Sequence, residues 1–171
     1  PRLLQRVEAT RLRPGEPALV ESIAEGISRK LEVVRADETE QGLRRILNFG
    51  HTIGHALEAA GDYRKLTHGE AVGWGMVGAI RIARRQERLS ASLAERLERT
   101  VRSVGPLPSL RTFATRRVLD AVAKDKKAGA AGLRFILPVG LGRVEIVESF
   151  PKSEIAWALE SLGVGLRAWR L

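Results

Sequence analysis

The chain has 171 residues, 44% of them hydrophobic and 29% charged, the balance of a soluble globular domain rather than of a disordered segment. No run of about 18 apolar residues occurs, which argues against a membrane-spanning helix, and the absence of cysteine excludes disulfides and thiolate metal sites and suits a reducing cytoplasm. A net charge of +9 suits an anionic partner, a nucleic acid or a small phosphorylated substrate, but four Phe, one Tyr and three Trp are too few for an obvious base-stacking platform, and with the arginines spread along helical faces a solvated basic surface is the favoured reading.

Helical periodicity dominates the chain. Residues 1–14 read as the tail of a helix belonging to something longer, with no start signal of their own. Leu19, Ile23, Ile27, Leu31 and Val34 follow at three- and four-residue spacing and predict an amphipathic helix from Pro17 to about Arg35, with the proline suited to its first turn. A second helix is expected from about Glu40 to Ala60, closed by Gly61. After the loop GDYRKLT, a third runs from His68 towards Arg88. Ser90 caps a fourth, which ends at Gly105. A fifth covers about Thr115 to Lys124. LRFILPVG and GRVEIVES then read as two short strands of a hairpin around Gly140 and Gly142, and Pro151 to Leu162 returns to helix. The expected fold is therefore mainly α with one small β-hairpin. No glycine-rich strand–turn–helix for a nucleotide is present.

The three histidines, His51, His55 and His68, fall within 18 residues. On one continuous helix, Arg44, Asn48, His51 and His55 would project along a single stripe, with Leu43, Ile46, Leu47, Ile53 and Leu57 on the other side. Gly50 and Gly54 would leave a flat strip where another helix can come close. Ordinary polar faces are built from Glu, Lys and Gln; Asn and His favour helix less, and each interior glycine costs about 1 kcal/mol against alanine. A sequence that keeps such residues together is keeping a site. His51 and His55, four apart, could share one metal, but the zinc-protease helix motif needs a Glu after the first His and Thr52 stands there. The alternative pairs His51 with His68, brought near by the short loop. Either way two imidazoles are an incomplete site, and Glu70 is the nearest third donor in this stretch.

The segments LRRILNFGHTIGHALEA and THGEAVGWGMVGA resemble the signature of the 3-dehydroquinate synthase family, sugar-phosphate cyclases of the shikimate pathway. SRKLEVVRADETEQGLR upstream and KDKKAGAAGLRFILPVGLGRVEIV downstream resemble the same family in the same order, so the likeness covers about residues 15 to 162. It implies that residues 1–171 are a helical C-terminal domain that holds metal and substrate. The NAD+-binding domain and a helix with a zinc-binding glutamate are expected before Pro1.

By that resemblance His51 and His68 are ligands of Zn2+ or Co2+, the third being the upstream glutamate rather than Glu70. His55 matches a proton-transfer and substrate-contacting histidine, and Glu40 a proton acceptor. Lys30, Arg44 and Asn48 match substrate-binding positions, and Lys126, in Asp125-Lys126-Lys127, an anion-binding lysine. The implied reaction converts 3-deoxy-arabino-heptulosonate 7-phosphate to 3-dehydroquinate with loss of phosphate. The resemblance further implies a cytoplasmic homodimer for the full-length protein, and a chain that by itself binds zinc weakly and does not turn over. Competing expectations are a deoxy-inosose or valiolone cyclase, a related metal-dependent alcohol dehydrogenase, and a non-catalytic basic helical domain.

Overall fold

A computed structural model describes residues 2–10, 15–40, 42–127 and 133–165, excepting the side chains of 125–127. In chain order the elements are α1 (Arg2–Ala9), α2 (Pro17–Ala36), a 3-10 segment (Leu43–Asn48), α3 (His51–Ala60), α4 (His68–Arg85), α5 (Ala91–Val104), α6 (Thr115–Lys127), β1 (Phe135–Gly140), β2 (Arg143–Val147) and α7 (Lys152–Ser161). The fold is mainly α with one hairpin, as expected. No described helix is long and apolar enough to cross a membrane.

Helix α4 is the axis. Ala71, Gly73, Trp74, Gly75, Val77, Gly78, Ala79, Ile80, Ile82 and Ala83 are buried along it, so it is apolar nearly all round and must be covered on every side. Helices α3, α5 and α7 and strand β1 do the covering. Helix α6 packs on α3 and adds Val118 and Val122 to the same core. Two start signals are satisfied by side-chain caps. The Ser90 hydroxyl accepts from the Leu93 N–H at 3.3 Å at the head of α5. At the head of α4, Thr67 and Glu70 form a reciprocal capping box. Helix α4 stops at Arg85, short of the expected Arg88, because Glu87 turns left-handed (φ 58°) and the Arg88 N–H closes back on the Ala83 carbonyl at 2.9 Å.

Among the described glycines the closest approach is between α3 and α4, which run antiparallel. A Cβ built on Gly75 would lie 1.8 Å from the Gly50 carbonyl oxygen, and one on Gly54 would lie 3.1 Å from the Cα of Val72. The glycine strip therefore does what its spacing predicts. The hairpin docks beside this pair: β1 buries Phe135, Ile136 and Leu137, and Phe135 stacks on Phe150 with ring centres 4.5 Å apart. Leu141 and Gly142 make its two-residue turn, with Gly142 left-handed at φ 69°.

Two expectations need correction. The helix expected from Glu40 to Ala60 is not continuous. Glu40 itself is left-handed (φ 57°), the Leu43–Asn48 turn is 3-10, and Gly50 at φ 82° starts a new helix at His51. The cause is packing: a Cβ at Gly50 would meet the backbone of Val72 and Met76 at 2.8 Å, so the chain bends where α4 leaves no room for a side chain. Helix α2 forms where expected, but its apolar stripe is not buried. Val20, Ile23, Ile27 and Leu31 stay 47–63% exposed, and Ser22 is the one residue of α2 that is buried.

Candidate metal and anion site

The α3–α4 pair sets the site. His51 is the first residue of α3, His55 lies one turn on, and His68 is the first residue of α4. Their rings form a triangle, with centres 5.2 Å apart for His51–His55, 5.4 Å for His51–His68 and 5.8 Å for His55–His68. The two open sequence readings, a His51–His55 pair and a His51–His68 pair, thus merge into one cluster.

Two of the three rings are anchored at Nδ1. That of His51 lies 3.2 Å from the Phe49 carbonyl oxygen, and that of His68 lies 3.2 and 3.3 Å from the two carboxylate oxygens of Glu58. An imidazole fixed this way by an acceptor at one nitrogen presents the lone pair of the other, here Nε2, to a metal. Burial pushes the His51 imidazole below its ordinary pKa; the hydrogen bond to Phe49 opposes this, and the neighbouring His55 and His68 add to it. The neutral ring is the form that ligates. His55 is exposed and hydrogen-bonds to no described residue. His55, Glu58 and His68 also each offer a donor atom within 4.8 Å of the others, a second possible set for a metal ion.

Glu70, the nearest third donor by sequence, is turned elsewhere. One oxygen of its carboxylate accepts from the Thr67 N–H at 2.7 Å, closing the capping box.

The expected substrate residues lie on the chain ahead of the Gly50 bend. Asp37, at the C-cap of α2, accepts from the backbone N–H groups of Gly42 and Arg44 at 2.8 and 2.9 Å and ties the 3-10 segment to α2. The Arg44 guanidinium donates to the Glu38 carbonyl at 2.8 Å. The Asn48 side-chain amide donates to Glu40 Oε1 at 2.7 Å, so these two expected residues meet. Because the helix breaks at Gly50, Arg44 and Asn48 do not continue the stripe of His51 and His55. They belong to a separate turn. Lys30 is exposed on α2, and no hydrogen bond or ion pair among the described residues joins it to the histidines. Lys126 lies within α6, but its side chain falls outside the described residues.

Some residues of the site were not singled out by sequence. A cleft beside His55 and His68 is lined by Glu58 of α3 and by Arg117, Asp120 and Lys124 of α6, so two basic residues of α6 share it with the imidazoles. Arg117 pairs with Asp62 at 2.9 Å. For Glu58 a signal existed: it stands three residues after His55, one turn along the same helix, facing the start of the antiparallel partner. A larger apolar groove, lined by Leu3, Leu4, Val7, Val72, Val101 and Leu107, also reaches His68.

The model of the family described as 3-dehydroquinate synthase C-terminal matches residues 2–128. A 3-dehydroquinate synthase of Koribacter versatilis (strain Ellin345) is 41% identical over 165 residues, covering 95% of this chain and 45% of the relative. One from Solibacter usitatus (strain Ellin6076) is 41% identical over 139 residues, covering 81% of this chain and 39% of the relative. The chain thus spans less than half the length of these relatives. Among solved structures, ValA, the 2-epi-5-epi-valiolone synthase of Streptomyces hygroscopicus subsp. jinggangensis 5008 with NAD+ and Zn2+ bound, superposes with a TM-score of 0.78 at 25% identity, over 94% of this chain and 46% of that one. A 2-deoxy-scyllo-inosose synthase complexed with carbaglucose-6-phosphate, NAD+ and Co2+ superposes at 0.73 and 26%, over 85% of this chain and 42% of that one. With three-quarters of the chain inside the family model and the imidazole cluster within that stretch, the chain belongs to the 3-dehydroquinate synthase C-terminal family.

Proposed function

We propose that residues 1–171 form the metal- and substrate-binding domain of a 3-dehydroquinate synthase, which converts 3-deoxy-arabino-heptulosonate 7-phosphate to 3-dehydroquinate and phosphate in the cytoplasm. The observation that carries the reading is the triangle of imidazoles, with His51 and His68 anchored at Nδ1 and their Nε2 atoms left available. That donor set suits Zn2+ or Co2+, which accept neutral imidazole nitrogen, and His51 and His68 would hold the ion. When bound, it supplies Lewis-acid polarisation of a substrate oxygen. NAD+ would be held by the full-length protein outside residues 1–171, and that protein is read as a homodimer.

The remaining residues act on the substrate's two anionic ends. Arg44, on its own turn ahead of α3, gives a charge-assisted contact to a carboxylate or phosphate, supported by Lys30 and Lys126. Asn48 offers its amide once Glu40 is drawn to the substrate, and the Glu40 carboxylate then accepts a proton from a substrate hydroxyl. His55, exposed beside the basic edge of α6, donates a ring N–H to an oxygen of the departing phosphate. The supporting contacts are those between Asn48 and Glu40 and the placing of His55 at the cleft that Arg117 and Lys124 line.

The test is a chimera in which this chain replaces the matching 45% of the Koribacter versatilis relative. Given NAD+, Zn2+ and the heptulosonate phosphate, it should form dehydroquinate, and His51→Ala or His68→Ala should lower that activity at least 100-fold. A folded, zinc-loaded chimera that forms none overturns the reading. The two solved neighbours favour a second reading, a cyclase of the valiolone or deoxy-inosose type. Product from a sugar phosphate that lacks the carboxylate, faster than from the heptulosonate, would select it. The chain by itself should not turn over.

A further inference from the structure

We propose that Glu58 is the positioning residue of His68, fixing which ring nitrogen faces the metal. The carboxylate sits in the last turn of α3, with its side chain 12% exposed, while the His68 side chain is 59% exposed at the first residue of α4. The better-buried partner sets the position of the freer one. Both Glu58 oxygens lie 3.2–3.3 Å from Nδ1, and an ionised carboxylate can only accept, so His68 carries its proton at Nδ1 and turns the Nε2 lone pair outward. No other hydrogen bond holds the His68 ring among the described residues.

His51 provides the internal comparison. It takes the same tautomer from a different acceptor, the Phe49 carbonyl, which no side-chain substitution removes. The two ligands are thus oriented alike, one by a neutral backbone group and one by a charge. The rival role, Glu58 as a direct ligand with His55 and His68, is allowed by their 4.8 Å proximity. However, it would require the carboxylate to leave the ring nitrogen that it now faces with both oxygens.

The inference rests on His68 being a metal ligand, and its test separates the two claims. Long-range 1H–15N spectra of the metal-free chain read the tautomer of each histidine. Co2+ titration of the chimera with the Koribacter versatilis relative, followed by visible absorption, reads affinity. In the unaltered chain His68 should be Nδ1-protonated. Glu58→Ala should abolish that preference, leave His51 unchanged and weaken Co2+ binding 10–100-fold. Glu58→Gln, whose amide oxygen still accepts, should keep the tautomer and lose less affinity than the alanine variant. A His68 tautomer indifferent to Glu58→Ala overturns the proposal. So does a loss beyond 1,000-fold in both variants, which makes Glu58 a direct ligand. If the chimera with the Koribacter versatilis relative takes up no Co2+, the metal reading fails and the tautomer alone decides the role of Glu58.

Discussion

Helices α2 and α4 are of similar length, twenty and eighteen residues, yet they stand in opposite relations to the rest of the molecule. Helix α4 buries ten residues against α3, α5, α7 and β1; α2 buries Ser22, whose hydroxyl donates to the Ala18 carbonyl at 2.7 Å, and leaves its apolar stripe open. Both carry hydrophobic residues at helical spacing, so periodicity does not separate them. The small residues do. Gly73, Gly75 and Gly78 are the points where α4 receives Leu107, the backbone of Gly50 and Ile53, each within 3 Å of where a Cβ would stand. On α2, a Cβ at Gly26 would meet nothing within 4 Å. A glycine in a helix marks close packing when something is there to pack, and the sequence alone does not say which case holds.

The comparison can be broken most directly at Gly75. Gly75→Ala drives a methyl group into the Gly50 carbonyl oxygen, backbone against backbone, and neither side can turn away. Equilibrium denaturation should record a loss of about 3 kcal/mol or more, with Co2+ uptake lost as the imidazoles part. A loss under about 1 kcal/mol would mean that α3 and α4 do not touch as described.

A smaller effect is expected where α4 meets α5. Glu98 accepts from Arg81 at 2.6 and 3.1 Å and from Arg102 at 3.0 Å. Burial pushes its carboxyl up, but the hydrogen bonds from the two arginines outweigh this and hold it below the usual carboxylate range. A depressed folded pKa adds stability that is present above the unfolded value and disappears as pH falls through the folded one. Glu98→Gln should therefore cost about 1 kcal/mol near neutral pH, after allowance for solvent screening, and converge with the parent in acid. Parallel stability curves from pH 7 to 3 would refute the assignment.

The smallest effect belongs to α2. Ile27→Ser removes an apolar side chain that is already 54% exposed, and the free energy of unfolding should change by no more than about 0.5 kcal/mol. A shift of 2 kcal/mol would show that the stripe is covered in solution.

Much of the scaffold is legible in the chain because its signals are local. Ser90 caps α5, the continuous apolar run before Gly140 makes β1, and Pro151 precedes α7. What escapes local reading is set by a distant partner. The bend at Gly50 exists because Val72 and Met76 occupy the space beside it, and nothing within ten residues of Gly50 reports that. Glu70 is the converse. Thr67-x-x-Glu70 is itself a capping signature, so its diversion from the metal could be read in advance. Of the site, the meeting of three imidazoles was legible from their clustering, and the pairing of Glu58 with His68 required the antiparallel geometry.

The left-handed turn at Gly50 gives the site two independent mountings. Ahead of it, the Arg44–Asn48 turn is moored to α2 through Asp37; behind it, the imidazoles are moored to α4. A shift in the first mounting need not be transmitted to the second. On the proposed reading, substitutions around the 3-10 turn would therefore alter the choice of anion and leave the nitrogen donors in place.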